Sequence, residues 1–123
     1  EPGEAQPATG CAGDLTDPAE GAGLLTRMRS VCGPLAGLIH LLPLAEPPEG
    51  ETPVQRADRE VKSLYLMARG LEADIRAAGK AGSAVLLAVT GMGGRMGYDG
   101  ELPEAFSPTH GGVAGFAKSL GYE

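Results

Sequence analysis

Two histidines, two cysteines, a threonine and a tyrosine beside a glycine-rich stretch, and two aspartates near the start are the side chains that could do chemistry here. Cys11 and Cys32 lie far apart, without the CxxC spacing of a zinc site, and two thiols do not make a disulfide framework, so both read as reduced thiols. His40 sits inside the apolar run LAGLIHLL, where an imidazole is expected to satisfy core hydrogen bonds rather than move protons. His110 stands where a helix is expected to begin; it would cap the end or line a pocket, and general-base work would require a partner group. Thr90 precedes GMGGRMGYDG and Tyr98 lies near its end; they would supply an orienting hydroxyl and a proton donor, but no lysine accompanies Tyr98 to tune its phenol. The glycines of that loop do not reproduce the full G-x-G-x-x-G spacing that cradles a pyrophosphate. No cluster of side chains has metal-ligand spacing, so no metal is expected.

The elements that must hold these residues are those of one small domain. The chain has 123 residues, of which 20 are Gly and 10 are Pro, yet 42% are hydrophobic. No Gly-X-Y period runs through it, which excludes collagen, and the apolar content argues against wholesale disorder. With 2 Phe, 3 Tyr and no Trp, the core must be aliphatic, each fully buried side chain contributing about 1.5–3 kcal/mol. Sixteen acids against 10 bases give a net charge of −6, and no run of Lys or Arg offers the footprint that phosphate backbones require. Nucleic acid is therefore not an expected partner. No apolar stretch approaches the 18 or more residues of a membrane span, and no secretory signal is evident; the chain reads as soluble and cytoplasmic. It opens on Glu1 and stops within an expected helix, which reads as a piece of something longer.

Residues 1–13 have no hydrophobic period and are rich in Pro, Gly and Ala, so they read as a linker or frayed end, with the domain spanning 14–123. Asp17 before Pro18 is an N-cap acceptor followed by a proline at the first helical position, and a helix is predicted over 18–30. Residues 35–42 suit a buried parallel strand, and the proline-dense 43–53 an exposed loop. Val61, Leu64, Tyr65, Ala68, Leu71 and Ile75 trace one stripe on a long helix beginning near Val54, which Gly70 weakens or bends. SAVLLAVT over 83–90 is the most convincing strand, apolar on both faces and expected at a sheet centre. A closing helix is predicted over 111–122. The methionines, at 28, 67, 92 and 96, form no stripe and read as core filling. Strands separated by helices indicate α/β architecture, with right-handed crossovers and helices on both sheet faces. Two strands alone leave unpaired edges and wet apolar surface, so the remaining strands are expected from elsewhere.

The order of these elements resembles that of a short-chain dehydrogenase/reductase. FSPTHGGVAGFAKSL over 106–120 is similar to the segment that carries that family's Tyr-x-x-x-Lys pair. GDLTD over 13–17 resembles its adenine-side segment, GPLAGLIHLLPL over 33–44 its fourth strand, and VLLAVTGMGGRMGYDG its fifth strand and active-site loop. The resemblance implies a truncated Rossmann-like fold, incomplete on its own, and places Asp14 beside an adenine. It also puts Phe106 at the tyrosine position, His110 at the lysine position and Gly91 at the serine position. A phenyl ring donates no proton, and an imidazole with an ordinary pKa of about 6.5 is largely neutral at pH 7. More narrowly, the chain resembles the structural, non-catalytic subdomain of a modular polyketide synthase ketoreductase, including variants of the polyunsaturated-fatty-acid synthase type. That likeness implies an adjoining catalytic half holding NADPH, other synthase domains as partners, and β-ketoacyl chains delivered by acyl carrier protein. The alternative expectation is an active NADP-dependent reductase in which Tyr98, Thr90 or His110 has taken over catalysis.

Overall fold

The computed structural model describes residues 10–94, 98, 100 and 106–121. Residues 1–9 of the expected linker, and most of the segment between Gly94 and Phe106, lie outside them.

Helix α1, Pro18–Cys32, starts where the sequence predicts. The Asp17 carboxylate accepts from the amides of Ala19 and Glu20 at 2.7 and 3.0 Å, and Gly33, at φ 77°, closes the far end. The chain then enters strand β1, Gly37–His40, which is shorter than expected because a 3-10 turn over Leu42–Leu44, seeded by Pro43, takes over. Proline locks its own φ and removes an amide donor, so the ladder stops before it.

The long helix is segmented. Thr52 and Gln55 form a reciprocal capping box that starts α2, Pro53–Ala57. A π-helical turn, Asp58–Lys62, follows, then α3, Ser63–Gly70, and α4, Glu72–Lys80. The break falls at Leu71, directly after Gly70, while the Leu71 and Ile75 amides still bond to Met67 and Leu71. The four-residue hydrogen-bond spacing thus continues across the break. Gly70 has a packing reason as well: a Cβ there would lie 2.5 Å from Leu25 Cδ1, so its absence lets α1 and α3 approach. Leu25, Met67 and Leu71 form the core at that crossing, with Leu35, Leu38 and Ile75 packed against it. Arg29 clamps the pair, donating to Asp74 at 2.8 Å and to the Gly70 carbonyl at 2.7 Å. That contact holds the Asp74 carboxyl below the usual carboxylate range.

Strand β2, Val85–Ala88, pairs in parallel with β1 in the register Gly37–Val85, Leu38–Leu86, Ile39–Leu87, His40–Ala88. Helix α5, Thr109–Leu120, begins two residues earlier than predicted and packs over β2, with Val113 fully buried and Phe116 edge-on to Tyr65. The molecule is thus mixed α/β around a two-stranded parallel sheet.

Among the described residues β2 has β1 as its neighbour and helices cover one face of the sheet, the incomplete arrangement expected where further strands come from elsewhere. Leu38, His40, Leu86 and Ala88 point one way, toward α3 and α5. Val85, Leu87 and Ile39 point the other way and remain 53%, 48% and 60% exposed. Period-2 alternation makes this a whole face rather than scattered residues.

Candidate functional site

Glu60 is the centre of the polar interior. It lies in the π-helical turn and is fully buried, a position no carboxylate holds without compensation. Arg56, one helical turn back, donates from Nε to Oε1 at 2.7 Å, and Arg59 Nη2 reaches the same oxygen at 3.2 Å. The Thr109 hydroxyl, at the start of α5, donates to Oε2 and is itself paired with Ser107 Oγ at 2.8 Å. Arg59 forks onto Glu51 at 2.7 and 3.1 Å and donates to the Leu42 carbonyl at 3.0 Å, which draws the 43–53 loop to the cluster. Its guanidinium holds Glu51 below the usual carboxylate range. Extra residues in a helical turn re-aim side chains, and π-helical turns recur at functional sites for that reason.

Both histidines of the chain face this carboxylate residue. His40, at the end of β1 and nearly fully buried, donates from Nε2 to the Glu60 main-chain carbonyl at 2.8 Å. Burial pushes its pKa down, the Glu60 carbonyl and charge opposing that shift in part. His110 approaches from α5: Nε2 lies 3.7 Å from Glu60 Oε2, too far for a hydrogen bond. The ring is 2% exposed, and neither nitrogen has a hydrogen-bond partner among the described residues. Such groups are rare in native interiors.

Three of the residues singled out by resemblance, Gly91, Phe106 and His110, converge here. The Phe106 ring stands edge-on to His110 at 6.0 Å. Gly91 lies against the same imidazole, where a Cβ would be 3.3 Å from Cε1 and 3.7 Å from Nδ1. A recess of about 270 Å³ opens beside them, walled by Pro43, Leu44, Pro47, Arg56, Gly91 and His110. Thr90 is half-buried next to Gly91, whereas Tyr98 is 89% exposed. Asp14 is exposed on the turn before α1; its carboxylate accepts from the Thr16 amide and hydroxyl at 2.8 and 2.7 Å, and these bonds lower its pKa. Cys11 and Cys32 are free and exposed. Among the described residues no helix is long and apolar enough to cross a membrane.

Sequence reasoning found the imidazole but missed its partner. Glu60, Arg56 and Arg59 sit in a stretch that reads as ordinary solvated helix and Thr109 ahead of the predicted closing helix; the i, i+4 spacing of Arg56 and Glu60 is the one local signal of a pair. Chemically, the arrangement offers an unpaired imidazole beside a charge-compensated carboxylate, facing a small, mostly apolar recess. No family model, curated protein or solved structure matches the chain.

Proposed function

We propose that this chain is a truncated Rossmann-like, non-catalytic subdomain that packs on and stabilises the NADPH-dependent catalytic half of a polyketide synthase ketoreductase. That half acts on β-ketoacyl chains carried by acyl carrier protein. The observation that carries the proposal is the bare sheet face: Ile39, Val85 and Leu87 lie side by side on two strands and are each about half exposed or more. A contiguous apolar surface on a parallel sheet needs a cover, because parallel sheets are stable when both faces are buried. In this reading the cover, and the strands that complete the sheet, belong to the adjoining half.

The site chemistry supports the same reading. Phe106 brings no hydroxyl to the position of the proton donor, and His110 is turned toward a carboxylate already compensated by two guanidiniums. The residues present do not fit a nicotinamide cofactor. The recess, at about 270 Å³, is small even for a drug-sized ligand, whose sites run from about 300 to 1,000 Å³.

The test supplies a catalytic half from the same synthase to the isolated chain. Alone, the chain is expected to bind a hydrophobic dye and melt early. With the half present, dye fluorescence falls and the melting temperature rises, as mass action requires of a partner that binds only the folded state. The double variant Ile39→Thr/Leu87→Thr loses that rescue. Turnover of a β-ketothioester with NADPH by this chain alone would sink the proposal and favour a reductase with a relocated proton donor.

A further inference from the structure

Between α3–α4 and α5 runs a groove of about 480 Å³, walled by none of the side chains that surround Glu60. Tyr65, Arg69, Glu72 and Arg76 follow one another at 3- and 4-residue steps and so share one helix face. Phe116 and Leu120 of α5 stand across from them, and Leu86, on the covered side of β2, makes the floor with Ile75 beside it. Tyr65 and Phe116 meet edge to face at 6.1 Å and tie the two walls together. The volume lies within the range of about 300–1,000 Å³ typical of small-molecule sites, which combine an apolar lining with a few convergent polar groups.

The charges at the rim do not cancel. Arg76 is committed to Glu72 at 3.0 Å. Arg69 has no carboxylate partner among the described residues: its Nη1 donates to the Tyr65 hydroxyl at 2.9 Å, which leaves Nε and Nη2 to donate elsewhere. Tyr65, accepting from Arg69, keeps its own O–H proton to donate. Both residues are exposed, Tyr65 by 43%, so a ligand can reach them. On a chain of net charge −6, this rim therefore holds one uncompensated cation beside a hydroxyl donor, a pair suited to a carboxylate. A second negative charge on the ligand would meet Glu72, which already neutralises the other guanidinium. From Tyr65 to Ile75 the wall extends about 15 Å, room for an extended hydrocarbon tail. We propose that this groove binds a medium-chain monocarboxylic acid, its carboxylate on Arg69 and Tyr65 and its tail along Ile75, Leu86, Phe116 and Leu120. Leu86 faces away from Val85 and Leu87, so the groove stays open when the bare sheet face is covered, and the site stands independently of the scaffold reading.

Octanoate is the probe, titrated into the full chain while amide and methyl signals are followed by NMR. Saturable shifts are expected at Ala68, Leu86, Phe116 and Leu120, with a Kd of about 0.1–1 mM, the range for one charge-assisted contact and a short tail. Ile39 and Leu87 should move little, which separates the groove from adsorption to the bare sheet face. 1-Octanol, with the same tail and no charge, binds about tenfold more weakly. Arg69→Gln, at an exposed position, weakens octanoate about tenfold and leaves 1-octanol within about twofold, a split that general loss of structure would not produce. Tyr65→Phe keeps the ring against Phe116 and weakens octanoate about three- to fivefold, and Glu72→Gln, by releasing Arg76, tightens it about two- to threefold. Equal binding of octanoate and 1-octanol, unchanged octanoate affinity in Arg69→Gln, or shifts as large at Ile39 and Leu87 as in the groove would overturn the proposal. So would self-association through this groove, read by sedimentation, that octanoate does not disperse, because a second copy would then be its occupant.

Discussion

Replacing Glu60 by glutamine probes the polar interior with the smallest change of shape. The amide keeps one oxygen for Arg56 Nε and Arg59 Nη2, and its nitrogen faces Thr109, whose hydroxyl then accepts from it and donates onward to Ser107. The contacts therefore survive in neutral form. What is lost is charge assistance on two guanidinium bonds at 2.7 and 3.2 Å, in side chains only 20% and 18% exposed. Bonds to charged groups contribute about 1.5–3 kcal/mol against about 0.5–1.5 for neutral ones, so two such bonds give a loss of about 2 kcal/mol. Arg59 retains Glu51, which makes Arg56 the group left most exposed to the change. Glu60→Leu removes both side-chain acceptors, leaving Arg56 without its carboxylate and Thr109 with Ser107 alone, and its cost rises to about 3–5 kcal/mol. Urea unfolding followed by ellipticity at 222 nm measures both. The expected order is wild type, then Glu60→Gln, then Glu60→Leu, with the last variant near or past its unfolding midpoint in water. If both variants unfold within about 0.5 kcal/mol of wild type, the buried carboxylate does not organise this interior and the reasoning fails.

Two further outcomes follow from single contacts. Burial lowers the His40 pKa below its ordinary 6.5. The unfolded chain then takes up the proton first, so stability present above about pH 6.5 is lost as pH falls through the folded value; melting curves from pH 7.5 to 5 should fall more steeply for wild type than for His40→Gln, which keeps a donor to the Glu60 carbonyl. Gly70→Ala places a methyl 2.5 Å from Leu25 Cδ1 and is expected to destabilise by about 1 kcal/mol, the overpacking cost exceeding the gain in helix propensity. Gly115→Ala, with nothing within 4 Å, should instead stabilise by up to about 1 kcal/mol, and equal effects at the two sites in denaturant titrations would contradict the packing argument.

The parts of the fold legible in the sequence are those whose signal is local. Asp17 with Pro18 fixes where α1 begins because cap chemistry is decided within one turn. The β-branched and leucine-rich run around Val85–Ala88 declares a strand whatever packs on it. What stayed hidden depends on partners distant in sequence. Glu60 reads as a solvated helix charge until Thr109, 49 positions away, comes to meet it, and the π-helical turn that aims it inward leaves no compositional mark. Resemblance puts Gly91, Phe106 and His110 at the positions of one pocket, and Phe106 and Gly91 both lie against His110, but it gives no sign of the buried Glu60 carboxylate beside that ring. The sheet is a different case. Runs apolar at every position announce burial on both faces, and Ile39, Val85 and Leu87 satisfy that announcement only if something outside the described residues covers them. The sequence pattern of β1 and β2 is therefore evidence about a surface that this fold leaves open: residues chosen as if for an interior, held on a rigid sheet, and facing water.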